Sequence, residues 1–193
     1  MATAAETTVQ NPSTSGDNSL RDEPEGLYEV IDEQCVEKPP MGAFEAWVAS
    51  VLFRGLVTHP MVVEQGRVVS ELLFRIDAEQ RLDRRPDLAF VSFDRWPEAR
   101  PVPRAAAWEV VPDLAIEVVS PSNRTADDLR AVEDYFRAGS RQVWLVVPGV
   151  NRVYVFTSPT SVTIRSLGDA LDGGDLLPGF SLTLLELFGD PNV

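Results

Sequence analysis

The chain has 193 residues, 44% hydrophobic and 24% charged, enough for one domain with a real core and too little for two sizeable ones. A single cysteine, Cys35, and a single histidine, His59, exclude an internal disulfide and a zinc site built of cysteines and histidines, so any metal must be held by carboxylates. Seventeen basic residues against 30 acidic leave a net charge of −13, which argues against general coating of nucleic acid.

The charge is unevenly spread. Residues 1–40 carry nine acids and two bases, whereas Arg81 to Arg104 holds six arginines and four acids. Residues 1–24 are rich in Ala, Thr, Ser, Asn and Glu, cannot bury enough surface to offset their ordering entropy, and read as a disordered acidic tail ahead of one domain over residues 25–193. No apolar run approaches the ~20 residues of a membrane span. No basic start followed by an apolar core marks a secretory leader, so a cytoplasmic protein with no membrane partner is expected.

In chain order, LYEVI and QCVEK alternate around Asp32-Glu33 and predict a hairpin that ends at Pro39-Pro40. From Met41 to Thr58, Phe44, Trp47, Val48, Val51, Leu52 and Leu56 fall at three- and four-residue steps and predict a helix. MVVEQ and VVSELLFRI read as strands joined at Gln65-Gly66-Arg67, and DLAFVSF, from Asp87, as another. Arg95 to Ala107, with three prolines, reads as a loop in which Trp96, beside Arg95, Arg100 and Arg104, is a base-stacking candidate or else a loop anchor. DLAIEVVS (113–120) is an apolar strand, Asp127–Ala138 a helix stopped by Gly139, and QVWLVV a strand buried on both faces. Ser120 and Ser122 suit capping of that helix, and His59 before Pro60 suits a cap or turn. RVYVF and SVTIRSL predict a hairpin, Gly173-Gly174 a turn, and LPGFSLTLLELF a strand and a closing helix. The strand–helix–strand unit makes two of the strands parallel neighbours, so the expected class is α/β with a central mixed sheet flanked by helices and extra β-hairpins.

Glu117 stands inside an apolar strand, where an ionised carboxylate is expensive unless paired or bound to a cation. Alternation puts Asp113, Ala115, Glu117 and Val119 on one face and Leu114, Ile116 and Val118 on the other. Asp87 opens a neighbouring strand. Two acids at the ends of adjacent strands form a natural site for a hard cation, which can activate water and stabilise phosphoryl charge. Each acid alone also reads as an edge residue or as one half of a salt bridge with one of sixteen arginines.

RPDLAF, VPDLAIEVVSPSN, VEDYFRAG and QVWLVVP, in this order and spacing, resemble the Uma-two family of restriction-endonuclease-like proteins, within the PD-(D/E)xK nuclease superfamily. The resemblance spans Leu27 to Phe188. It implies a restriction-endonuclease-like core and a Mg2+- or Mn2+-dependent endonuclease acting on nucleic acid, with DNA as the expected substrate and a homodimer as the assembly for cutting both strands. It further implies Asp87 and Glu117 as metal ligands, the Val118 backbone carbonyl as a third, and Glu37 and Glu45 as additional carboxylates.

The superfamily also requires a lysine. The position two after Glu117 is Val119, and the helical position four before Tyr135, where the resembling family carries its lysine, is Ala131. Lys38 is the sole lysine of the chain, so the cationic role falls to Arg130, Arg124 or Lys38. Arginine stabilises charge but is a poor proton acceptor. The other expectation is a catalytically inactive nuclease-fold protein that binds nucleic acid or a protein partner.

Overall fold

Alternation of apolar residues along two adjacent strands, β6 (Leu88–Ser92) and β7 (Leu114–Val118), gives the central sheet two buried faces. Leu88, Phe90, Leu114, Ile116 and Val118 point to one core; Ala89, Val91 and Ala115 point to the other. The protein is a computed structural model that describes residues 26–121 and 124–189; the leading acidic tail, together with Ser122 as a helix cap, lies outside the described residues.

The central sheet has six strands in the order β10-β9-β8-β7-β6-β3, with β3 (Gly66–Ser70), β8 (Gln142–Val147), β9 (Arg152–Ser158) and β10 (Ser161–Arg165). β7 and β8 run parallel across helix α3 (Thr125–Ala138), while the other pairs are antiparallel, so the sheet is mixed. Helix α1 (Ala43–Thr58) covers the first face through Val48, Leu52 and Leu56. A two-stranded sheet, β11 (Ala170–Gly173) and β12 (Leu177–Thr183), and helix α4 (Leu184–Phe188) complete that core. On the second face lie Val132 and Tyr135 of α3. Beside them pack β4 (Phe74–Asp77) and β5 (Leu82–Arg84), which share a four-stranded sheet, β2-β1-β5-β4, with the early hairpin of β1 (Tyr28–Ile31) and β2 (Gln34–Glu37).

Most elements stand where periodicity puts them. Asp32 and Glu33 take positive φ at the hairpin tip, and Gly139 is left-handed at the end of α3. Arg124 occupies the N-cap of α3, four residues beyond Ser120. MVVEQ is a further departure: Pro60–Gln65 is a short helix, α2, because Pro60 at its first position loses no hydrogen bond and its fixed φ suits helix entry. Gly66 is then no joint between strands but the first residue of β3, where a Cβ would lie 2.3 Å from the Val91 carbonyl oxygen. VVSELLFRI divides at Glu71, in the left-handed region, and its halves enter different sheets. The three-residue β5 and the four-residue β11 are too short to declare a period.

Trp96 is a loop anchor and not a stacking platform. It is 6% exposed, sits edge-on to Trp108 at 5.3 Å, and is covered by the Arg100 guanidinium. Its neighbour Arg95 donates to Asp113 Oδ1 at 2.8 Å, so Asp113 is a strand-entry partner at the end of β6 remote from Asp87. Trp144 is fully buried, as a core residue should be, and His59 joins α1 to α2 with Nε2 3.0 Å from the Gly179 carbonyl. Among the described residues no helix is long and apolar enough to cross a membrane.

Leu52 is fully buried whereas Leu129 on α3 is 46% exposed. Leu52→Ala therefore costs about 2–5 kcal/mol of unfolding free energy and Leu129→Ala less than about 1 kcal/mol, a contrast that urea denaturation measures directly.

Candidate active site

The register of β6 against β7 pairs Leu88 with Ile116 and so sets Asp87 opposite Glu117. Both side chains leave the sheet on the face that carries Ala89 and Ala115. Asp87 is 3% exposed and Glu117 12%. Two carboxylates so placed repel each other and have lost most of their water, so they require a cation.

Lys38 supplies it. Its Nζ lies 2.9 Å from Asp87 Oδ1, 3.0 Å from Glu117 Oε2 and 2.6 Å from the Arg85 carbonyl oxygen. These three acceptors match the three protons of the ammonium group. The early hairpin brings it there: β1 pairs with β5 at Val30 and Asp83, three residues before Pro86. Lys38 follows β2 directly, its N–H donating to the Leu27 carbonyl at 2.8 Å, and Pro39-Pro40 then lead into α1.

The remaining oxygens are held as well. The Val118 amide N–H donates to Asp87 Oδ2 at 2.6 Å, and the Tyr135 hydroxyl donates to Glu117 Oε1 at 2.8 Å. One oxygen of each acid is thereby fixed by protein, leaving Asp87 Oδ1 and Glu117 Oε2 to face a common point. Glu29 on β1 accepts from Arg84 at 2.8 Å and from the Arg85 amide at 2.8 Å, and Arg84 also pairs with buried Asp134 on α3.

A cavity of about 520 Å³ opens over this pair. Glu37, Arg124, Arg130 and Ala131 line it along with Lys38, Asp87, Glu117 and Val118. Arg130 does not reach the acids: its guanidinium pairs at 2.7 Å with Asp32, an exposed residue of the hairpin tip. Glu45 sits in the first turn of α1 and is not part of the cavity wall. What the structure ties to the acids at Val118 is its amide. Sequence reasoning did not assign the Tyr135 hydroxyl, Glu29 or Arg84 to the site. A tyrosine at a helical core position is ambiguous between ring burial and hydroxyl chemistry, and here it does both.

Burial opposes charge on Lys38, but Glu117, Asp87 and Glu29 outweigh it and hold the ammonium above the ordinary lysine range. Burial pushes the Glu117 carboxyl from 4.5 up to about 7, with Asp87 adding to the rise and Lys38 opposing it. The folded chain thus holds this proton more tightly than the unfolded one. Its stabilising contribution is complete below about pH 4.5 and lost as pH rises through about 7. Unfolding free energy of the wild type minus that of Glu117→Gln, measured in EDTA, should fall across this window; a flat difference would contradict the assignment.

The family model for Uma2, described as "Putative restriction endonuclease", matches residues 17–185. No curated protein matches the chain. Among solved structures, the crystal structure of a "putative nuclease belonging to DUF820" from Anabaena variabilis ATCC 29413 is similar with a TM-score of 0.71. The likeness covers 86% of this chain and 92% of that one at 18% identity, and is a likeness of fold. The matched span contains the hairpin, both acids, α3 and the whole central sheet, and the chain belongs to the Uma2 family, with a nuclease-type α/β fold.

Proposed function

We propose that this protein is a divalent-metal-dependent endonuclease that hydrolyses phosphodiester bonds of DNA, with Asp87 and Glu117 holding Mg2+ or Mn2+ and Lys38 as the site's cationic side chain. The observation that carries the reading is the convergence of one oxygen from each acid on a single point, 2.9 and 3.0 Å from the same nitrogen. This donor set fits magnesium, which is bound through one or two carboxylates and completes its shell with water and substrate phosphate. Bound there, the ion would acidify a water and offset charge on the phosphoryl oxygens.

The side chains divide the rest of the work. The Val118 amide and the Tyr135 hydroxyl orient the two carboxylates, which keeps one oxygen of each available. Lys38 remains protonated at neutral pH, so it acts by orienting water and stabilising developing negative charge rather than by taking a proton. It takes the cationic role on the evidence of contact, which Arg130, committed to Asp32, does not have.

Incubation with supercoiled and single-stranded DNA plus Mg2+ or Mn2+ tests the reading. Wild type should nick, EDTA should abolish nicking, and Asp87→Ala/Glu117→Ala should remove it. Lys38→Met should lower the rate by on the order of 10²-fold or more. Equal nicking by wild type and the double variant would overturn the assignment. Metal-independent DNA binding with no cleavage would mark a binding module on a nuclease fold.

A further inference from the structure

The point on which Asp87 Oδ1 and Glu117 Oε2 converge is the point at which the chain places its own ammonium. Lys38 is 20% exposed and arrives from β2, every residue of which is exposed, at the edge of the four-stranded sheet. The cation is therefore carried by a peripheral hairpin and not by the central sheet. Its third acceptor, the Arg85 carbonyl, belongs to the backbone that leads into Asp87, so nothing about it depends on a bound ion.

We infer that Lys38 is a tethered occupant of the metal position: a divalent ion binds Asp87 and Glu117 only by exchange with this ammonium, which then turns into the cavity and becomes available to a substrate phosphate. The inference rests on the metal reading above and adds an order of events to it. Two cations of like charge do not share a point flanked by two carboxylate oxygens about 3 Å away. The flexible four-carbon stem of lysine lets the ammonium leave without moving the backbone. Glu37, the exposed last residue of β2, also lines the cavity and offers the displaced ammonium an acceptor.

Because Lys38 is the only lysine in the chain, its ammonium can be followed alone. In the full-length protein labelled with 15N, a proton–nitrogen spectrum tuned to lysine side chains should show one ammonium signal, protected from exchange in EDTA. Titration with Mg2+ should shift it or broaden it away by exchange with water. In parallel, calorimetry with Mn2+ should show that Lys38→Met binds the ion about tenfold more tightly than wild type or better, since the competitor is gone. In a cleavage assay the same variant should reach half-maximal rate at lower metal concentration although its rate is lower.

An ammonium signal unchanged at saturating Mg2+, or a Lys38→Met affinity equal to or weaker than wild type, overturns the exchange while leaving the metal site standing. Should Lys38→Met fail to fold, the wild-type spectrum alone decides. Absence of Mn2+ binding to wild type and variant alike overturns both the exchange and the metal reading.

Discussion

Two carboxylates directly across a strand pair, almost fully buried, set the terms for the rest of this molecule. The antiparallel register of β6 and β7 leaves Asp87 and Glu117 no separate environments, and neither can keep a full hydration shell. Left alone, such a pair would shed charge by binding a proton, and the upward push on Glu117 is the residue of that tendency. A cation is the alternative. The chain brings one over from a hairpin nearly 80 residues distant in sequence from Glu117.

That long reach explains the polar scaffold around the site. Glu29 ties β1 to Arg84 and to the Arg85 amide, and Arg85 donates back to the Tyr28 carbonyl at 3.0 Å while lying over the Tyr28 ring. Arg84 continues the chain to Asp134 on α3, and the next residue of that helix, Tyr135, holds Glu117. Hairpin, strand entry and helix are thus joined by charge-assisted hydrogen bonds rather than by apolar packing alone. Arg84 and Asp134 are both buried and each has a second partner, Glu29 for Arg84 at 2.8 Å and Arg137 for Asp134 at 3.0 Å, so the network spreads its charge over β1, β5 and α3.

The parts of this arrangement that follow from period and cost were legible in the sequence. Glu117 stood out because an acid among Leu, Ala, Ile and Val must be compensated, and strict alternation set it on the Ala115 face. The parallel β7–β8 pair follows from the crossover rule, and the mixed sheet with it. The position of Lys38 was not legible, since it depends on one antiparallel bridge between Val30 and Asp83 that no local pattern announces. Arg130 was a reasonable cation from its place beside Ala131, but one residue along a helix turns a side chain by about 100°, and Asp32 was waiting on that side. MVVEQ misled for the opposite reason: its β-branched residues favour a strand, and Pro60 together with tertiary packing on β12 overrides them.

Electrostatics connects the site to the proposed substrate. Seven carboxylates and four cationic groups line the cavity of a chain whose net charge is −13, so any phosphodiester approaching the chain as it stands would meet repulsion both at long range and at the wall. With Lys38 between them and both carboxyls ionised, the two central acids and their ammonium sum to one negative charge. The inferred exchange of that ammonium for a divalent ion, with Lys38 retained nearby, would turn the same group of atoms net positive by one. Under the proposed reading, a nucleic-acid backbone would be attracted only after the metal had entered. On that reading an acidic protein with an acid-lined cavity would gain a site whose affinity for phosphate is conditional on its cation, and the bulk charge that argues against general coating of nucleic acid would be compatible with the proposed cleavage.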